Sequence, residues 1–378
     1  MKPLSLFWSS ALLLGQTTAH SCSHKTTTTT TTTTSASIPP TGTILTGPFP
    51  SDLHGSNWTY PWPVKVFRFI SQGSPQEMAF MDLPPSLAGN TTPETKQKQK
   101  VAILLHGKNF CSATWPPTAS LLQSTGYRVI LPDQLGFCKS SKPVSYQFTL
   151  AQLALNTKNF LAALNLTSSS SSSSSAETTL TVIGHSMGGM LATRFALLYP
   201  SLISNLVLVN PIGLEDWISL GVPYPSIDST YATERASNYT TIKAYQQATY
   251  YMGSWSSKYD PPVVMLSNIY IGSQAEAFAW CQARVGDMVL TQPVVYEFKD
   301  LKVPRTLLMI GTKDTTAIGK PSAPPEVQAK LGHYDVLGKQ AAAVIPNSTL
   351  IEFEDMGHAP QIQGEERFHE ALLGWLEQ

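Results

Sequence analysis

The segment Leu180-Thr181-Val182-Ile183-Gly184-His185-Ser186-Met187-Gly188-Gly189 decides how this chain is read. Leu180–Ile183 is apolar enough to be a strand buried on both faces of a sheet. Met187–Tyr199 then reads as a helix. Between them, the pattern G-x-S-x-G puts a serine where a strand must turn sharply into a helix. Such a turn lifts the Ser186 Oγ clear of the sheet at a strained backbone angle. Glycines at 184, 188 and 189 let strand and helix approach without Cβ clashes. The helix N-terminus offers N–H groups and a positive dipole end to a developing oxyanion. The plain alternative is an ordinary Gly-rich turn.

Outward from this segment, short apolar runs alternate with helical stretches. Val64–Ile70 and Glu77–Leu83 read as an opening pair of strands. Val101–Leu105, Tyr127–Leu131, Leu180–Ile183, Leu206–Val209, Thr306–Ile310 and Thr349–Phe353 follow, rich in Val, Ile and Leu. Leu150–Leu164 and Glu365–Leu376 have helical spacing between strands. The pattern predicts a doubly wound, mostly parallel, eight-stranded α/β sheet flanked by helices. Its core spans 61–211 and 303–378. Residues 212–302, with aromatic helical stretches Tyr245–Tyr251 and Phe278–Val285, interrupt the alternation and read as an inserted helical cap. Ser168–Ser175 reads as a surface insertion without chemistry.

A serine hydroxyl needs a base. Of the eight histidines, His20, His24 and His54 precede the sheet, His185 flanks the serine, and His369 lies in the last helix. His358 instead follows the final strand in Asp355-Met356-Gly357-His358-Ala359-Pro360, on a loop at the C-terminal edge of the sheet, where sites of α/β sheets lie. A carboxylate should orient that imidazole. Asp314, just after Thr306–Ile310, is the first candidate; Glu215 and Asp216, after the preceding strand, are its rivals. A second oxyanion donor is expected after the third strand, in His106-Gly107-Lys108-Asn109, where the Lys108 backbone N–H would join that of Met187. That role leaves the Lys108 charge without a part.

With His106-Gly107, Asp133-Gln134-Leu135-Gly136-Phe137, Gly184–Gly189, Gly311–Asp314 and Gly357-His358 in place, the chain from about Val64 onward resembles the α/β-hydrolase superfamily, in its cap-bearing branch. Haloalkane dehalogenases, epoxide hydrolases, carboxylesterases, proline iminopeptidases and carbon–carbon bond hydrolases belong to that branch. The order Ser186, Asp314, His358 is the one the fold implies. Two departures narrow the activity. Dehalogenases and epoxide hydrolases carry Asp where this chain has Ser186, and proline iminopeptidases resemble Gly-Gly-Ser-Trp-Gly rather than Gly-His-Ser-Met-Gly. The resemblance implies a hydrolase working without cofactor or metal on an apolar ester-like small molecule. Carbon–carbon bond or lactone hydrolysis by the same three residues is the alternative; peptidase activity and non-catalytic ligand binding rank behind it. Of the cap aromatics Trp217, Tyr224, Tyr245, Tyr250, Tyr251, Trp255 and Trp280, some would line a substrate pocket and more would pack the cap.

Composition and charge balance argue against a nucleic-acid partner. The 378 residues are 42% hydrophobic and 13% charged, enough for a full core, and 25 basic residues balance 25 acidic ones. No basic stripe is indicated. Lys2, the apolar run Leu4–Leu14 and Thr17-Thr18-Ala19 read as a leader over residues 1–19, so secretion is expected and stable membrane insertion is not. Residues 20–60, with the threonine run Thr26–Thr34, read as a disordered or O-glycosylated segment. Asn57, Asn90, Asn165, Asn238 and Asn347 head N-glycosylation triplets. Of Cys22, Cys111, Cys138 and Cys281, the second and third follow strands that this fold sets side by side, so a disulfide fits there, with Cys281 as another partner.

Overall fold

The computed structural model of the chain describes residues 42–47, 58–86, 99–167 and 178–378. The leader 1–19, the run Thr26–Thr34, the triplets at Asn57 and Asn90 and the insertion Ser168–Ser175 lie outside the described residues. All described residues fall within the unit Ile38–Gln378.

The doubly wound sheet is present, with nine strands rather than the eight expected. They are β1 (Thr43–Thr46), β2 (Val64–Ser71), β3 (Ser74–Leu83), β4 (Gln99–Leu105), β5 (Arg128–Pro132), β6 (Thr178–His185), β7 (Asn205–Val209), β8 (Arg305–Gly311) and β9 (Ser348–Phe353). Their order across the sheet is β1-β2-β3-β5-β4-β6-β7-β8-β9. β1, β2 and β3 pair antiparallel, and β3 joins β5 antiparallel. From β5 to β9 all pairings are parallel. The additional strand is β1, which reaches into the stretch read as disordered and pairs Thr43 with Arg68 and Thr46 with Lys65. It escapes sequence reading because an edge strand of four half-exposed residues has no buried face to impose a pattern.

The central strands are uniform apolar runs because helices cover both faces. All five residues of β7 are buried, and Leu307–Ile310 of β8 are fully buried. α3 (Met187–Leu198) packs on β4, β6 and β7, α1 (Pro116–Ser124) on β5, and α2 (Leu150–Ala163) against α3, with its Phe160 on Phe67 and Phe80. α2 starts where the Thr149 hydroxyl accepts the Gln152 N–H, an N-cap that satisfies one orphan donor of the first turn.

Between β7 and β8 the chain runs through α4 (Ile227–Arg235), α5 (Tyr239–Thr249), α6 (Asp260–Ile271) and α7 (Ala275–Thr291). Ser226 caps α4. Asn238 and Thr241 form a reciprocal capping box at the start of α5. Pro261 and Pro262 sit in the first turn of α6, where missing N–H groups cost no hydrogen bond. Val263, Met265, Leu266 and Ile269 of α6 and Phe278, Val285 and Met288 of α7 join the same buried cluster as the sheet. The remaining triplet asparagines, Asn165, Asn238 and Asn347, are exposed. No described helix is long and apolar enough to cross a membrane.

Cys111 and Cys138 form a disulfide with Cα atoms 6.0 Å apart, tying the loop after β4 to the loop after β5. Cys281 is a buried free thiol, and burial raises its pKa to about 12, which makes it a poor nucleophile. Replacing Cys111 and Cys138 together by alanine is expected to remove about 2–4 kcal/mol of stability, because the bridge closes a loop of intermediate length. Denaturant titration reads the loss. An unchanged midpoint, with both thiols free in peptide maps, would show that the bridge does not form in solution.

Candidate active site

Because β4, β6, β7, β8 and β9 run parallel, the loops after them gather at one edge of the sheet. β6 ends at His185 and α3 begins at Met187, leaving Ser186 alone to make the turn. It does so at φ 55° and ψ −122°, a strained conformation for a residue with a side chain. Packing holds it there. A Cβ on Gly184 would lie 2.2 Å from the Gly188 carbonyl oxygen, and one on Gly188 would lie 2.2 Å from that of Leu105. The Ser186 N–H is bonded to the Val209 carbonyl at 3.1 Å.

His358 and Asp314 meet. The His358 Nδ1 lies 2.6 Å from Asp314 Oδ2, and both side chains are fully buried. A carboxylate oxygen only accepts, so the ring carries its proton on Nδ1. Its Nε2 is buried and has no hydrogen-bond partner among the described residues. Asp314 is held in turn: Oδ1 accepts the Thr316 N–H at 2.8 Å, and Oδ2 accepts Asn210 Nδ2 at 3.0 Å. His185 ties His358 to the serine turn, its Nε2–H donating to the His358 carbonyl at 2.8 Å. Burial and the neighbouring His358 push the His185 pKa well down, so it stays neutral.

The rival carboxylates are engaged elsewhere. Glu215 Oε1 accepts Trp217 Nε1 at 2.9 Å and the Gly332 N–H at 2.9 Å, and burial pushes its carboxyl pKa up. Asp216 accepts from Ser219 and Tyr296.

The loop after β4 lies against the serine, since a Cβ on Gly107 would be 2.9 Å from the Ser186 Cβ. His106 braces that loop. Its Nε2 accepts the Gln134 N–H at 3.0 Å, and its Nδ1–H donates to the Gly107 carbonyl at 2.9 Å. The segment containing Asp133 is braced too, by Tyr60 Oη at 2.5 Å and the Ser112 N–H at 2.8 Å. Met187 opens α3, so its N–H is among those with no partner inside the helix.

A cavity of about 480 Å³ opens over Ser186. Lys108 and Asn109 line it, with Ile212, Ile242, Leu266 and Val289 as apolar lining and Thr230, Thr233, Glu234 and Tyr270 as polar lining. The Lys108 ammonium reaches across to Glu234 at 2.7 Å, and Tyr270 Oη donates to the other Glu234 oxygen. The Lys108 charge therefore has a partner on α4, a role beyond the backbone one expected of it. Of the cap aromatics, Tyr245 and Tyr250 line the cavity. Tyr251 stacks on Tyr259 at 3.7 Å and Trp280 on Tyr231 at 3.9 Å, as packing between rings.

Asn210, Glu234 and the Asn109 side chain have no role assigned by the sequence pattern. Asn109 lies in the segment His106–Asn109 without a role of its own there, and Asn210 is visible as an Asn directly after an apolar strand, where it takes φ 34°, a region Asn tolerates better than most side chains.

Residues 101–365 match the family model described as alpha/beta hydrolase fold. The chain belongs to that family and is a hydrolase. A solved structure described as a "probable hydrolytic enzyme" of Pseudomonas aeruginosa PAO1 is similar, with a TM-score of 0.76 and 49% identity over 84% of this chain and 95% of that one. Lipase 1 of Psychrobacter immobilis is 26% identical over 265 residues, covering 69% of this chain and 72% of its own length. An esterase from Exiguobacterium antarcticum shares the fold, with a TM-score of 0.56 and 18% identity over 80% of this chain and 96% of that one.

Proposed function

We propose that this hydrolase cleaves an ester-like bond of a small molecule through an acyl-enzyme on Ser186. The observation that carries the reading is the His358 ring, fixed by Asp314 through Nδ1 with its buried Nε2 unpartnered among the described residues. Nε2 takes the Ser186 proton as Oγ attacks the carbonyl carbon. The carbonyl electron pair moves onto oxygen, and the backbone N–H groups of Met187 and Lys108 stabilise the oxyanion. The tetrahedral adduct collapses, and His358 hands its proton to the departing alkoxide. Water then attacks the acyl-enzyme with Nε2 as base, and Ser186 recovers its proton as the acid leaves. Lipase 1 of Psychrobacter immobilis supports ester chemistry by likeness. A serine-directed phosphonate tests the reading: it should label the wild type on Ser186 and leave Ser186→Ala unlabelled.

The cavity lining refines the substrate. An apolar part packs against Ile212, Leu266 and Val289, while the Lys108–Glu234 pair and Tyr270 in the same lining disfavour a long alkyl chain, because burying that pair under hydrocarbon costs solvation. Acetate and butyrate esters of p-nitrophenol should give kcat/KM at least about tenfold above the palmitate ester. A preference for palmitate would contradict this reading. We place the activity outside the cell, supported by the reading of residues 1–19 as a leader; an N-terminus near residue 20 in protein recovered from culture medium would test that.

A further inference from the structure

Tyr250 belongs to the inserted helices, yet it touches the residue assigned as base. It follows the last residue of α5, and its carbonyl accepts the His358 N–H at 3.0 Å. Its ring lies over the His358 imidazole, with centroids 4.4 Å apart and planes 31° from parallel. Its hydroxyl accepts Asn109 Nδ2 at 2.9 Å, next to Lys108. Tyr250 thus bridges the loop that carries the imidazole and the loop that follows β4. Burial raises its pKa well above the usual value, so it offers a neutral phenol face.

We propose that Tyr250 is a positioning residue through which the inserted helices take part in catalysis: its ring face stabilises the imidazolium form of His358, and Asn109 holds the ring in place. The proposal rests on the reading of His358 as general base. A cation over an aromatic face within about 6 Å is attracted by the ring quadrupole, more strongly where water is excluded. The His358 side chain has no exposure to solvent. The other groups facing it leave this role to Tyr250. Asp314 binds Nδ1 in the ring plane. The His185 ring, 5.0 Å away and tilted 49°, is neutral and lends no charge. Tyr245 meets the Tyr250 ring edge-on at 5.4 Å, and Phe110 stacks on Tyr250 at 5.9 Å. Both rings pack on Tyr250 itself.

The test compares Tyr250→Leu and Tyr250→Phe with the wild type on a short-chain ester across pH, with Ser186→Ala as control. Without the ring, the imidazolium loses support. Tyr250→Leu should lower kcat by about tenfold and move the acid limb of kcat/KM to lower pH by up to about one pH unit. Tyr250→Phe keeps the ring and should keep the acid limb, losing only the hydroxyl's bonds to Asn109 and Tyr245. Thermal unfolding checks that each variant is folded, and Tyr250→Met replaces Tyr250→Leu if the latter is not. An unmoved acid limb in the folded Leu or Met variant, or one that moves equally in Tyr250→Phe, would overturn the proposal. In either case turnover would still depend on Ser186. Full turnover by Ser186→Ala would instead overturn the general-base reading itself.

Discussion

Ser186→Ala is expected to lower kcat by roughly 10⁴-fold or more while leaving the fold intact. The substitution removes only the atom that attacks. The turn itself is held by Gly184, Gly188 and the Val209 carbonyl, none of which involves Oγ. Alanine at the strained φ of 55° bears much the same backbone cost as serine. Residual turnover over the background would come from the oxyanion donors and from substrate binding. His358→Ala should cost as much, and the double variant scarcely more, because a base without a nucleophile has no proton to take. Initial rates on a short-chain ester, with circular dichroism as the folding control, measure this. Undiminished turnover by folded Ser186→Ala would remove the acyl-enzyme mechanism.

What could be read in the sequence follows the kind of physics that places each residue. Strands buried on both faces must be apolar throughout, so β4, β6, β7 and β8 are visible as runs. The serine turn is legible because the close approaches at Gly184 and Gly188 tolerate no Cβ. β1 is not legible: its residues are half exposed at an edge, and nothing about Thr43–Thr46 demands pairing until β2 is there to receive it. The stretch Tyr245–Tyr251 reads as one helix, yet α5 ends at Thr249, and this frees the Tyr250 carbonyl to take the His358 N–H. Glu234 illustrates the remaining limit. A glutamate near the end of an amphipathic helix reads as a solvated charge, and only the tertiary arrangement brings it within 2.7 Å of Lys108, 126 positions away in sequence.

Asp314→Asn is expected to lower kcat by roughly 10³- to 10⁴-fold with little change in KM. The Asp314 carboxylate accepts from three donors: His358 Nδ1, Asn210 Nδ2 and the Thr316 N–H. An asparagine has one accepting oxygen and one donating amide, so it cannot satisfy all three. Whichever way it turns, its NH₂ faces a donor. The arrangement that relieves the conflict moves the His358 proton to Nε2, which then has no lone pair for the Ser186 proton. Substrate contacts are untouched, because Asp314 lies behind the imidazole and does not line the cavity. Glu215→Gln should behave differently. Its oxygen bonds to Trp217 and Gly332 can be kept by an amide carbonyl, so activity should stay near the wild type. Initial rates for both variants decide which carboxylate orients His358. Full activity in Asp314→Asn together with its loss in Glu215→Gln would move the orienting acid to the loop after β7. That would require a different arrangement in solution, since Asp314 is the carboxylate 2.6 Å from His358 Nδ1 in the structure.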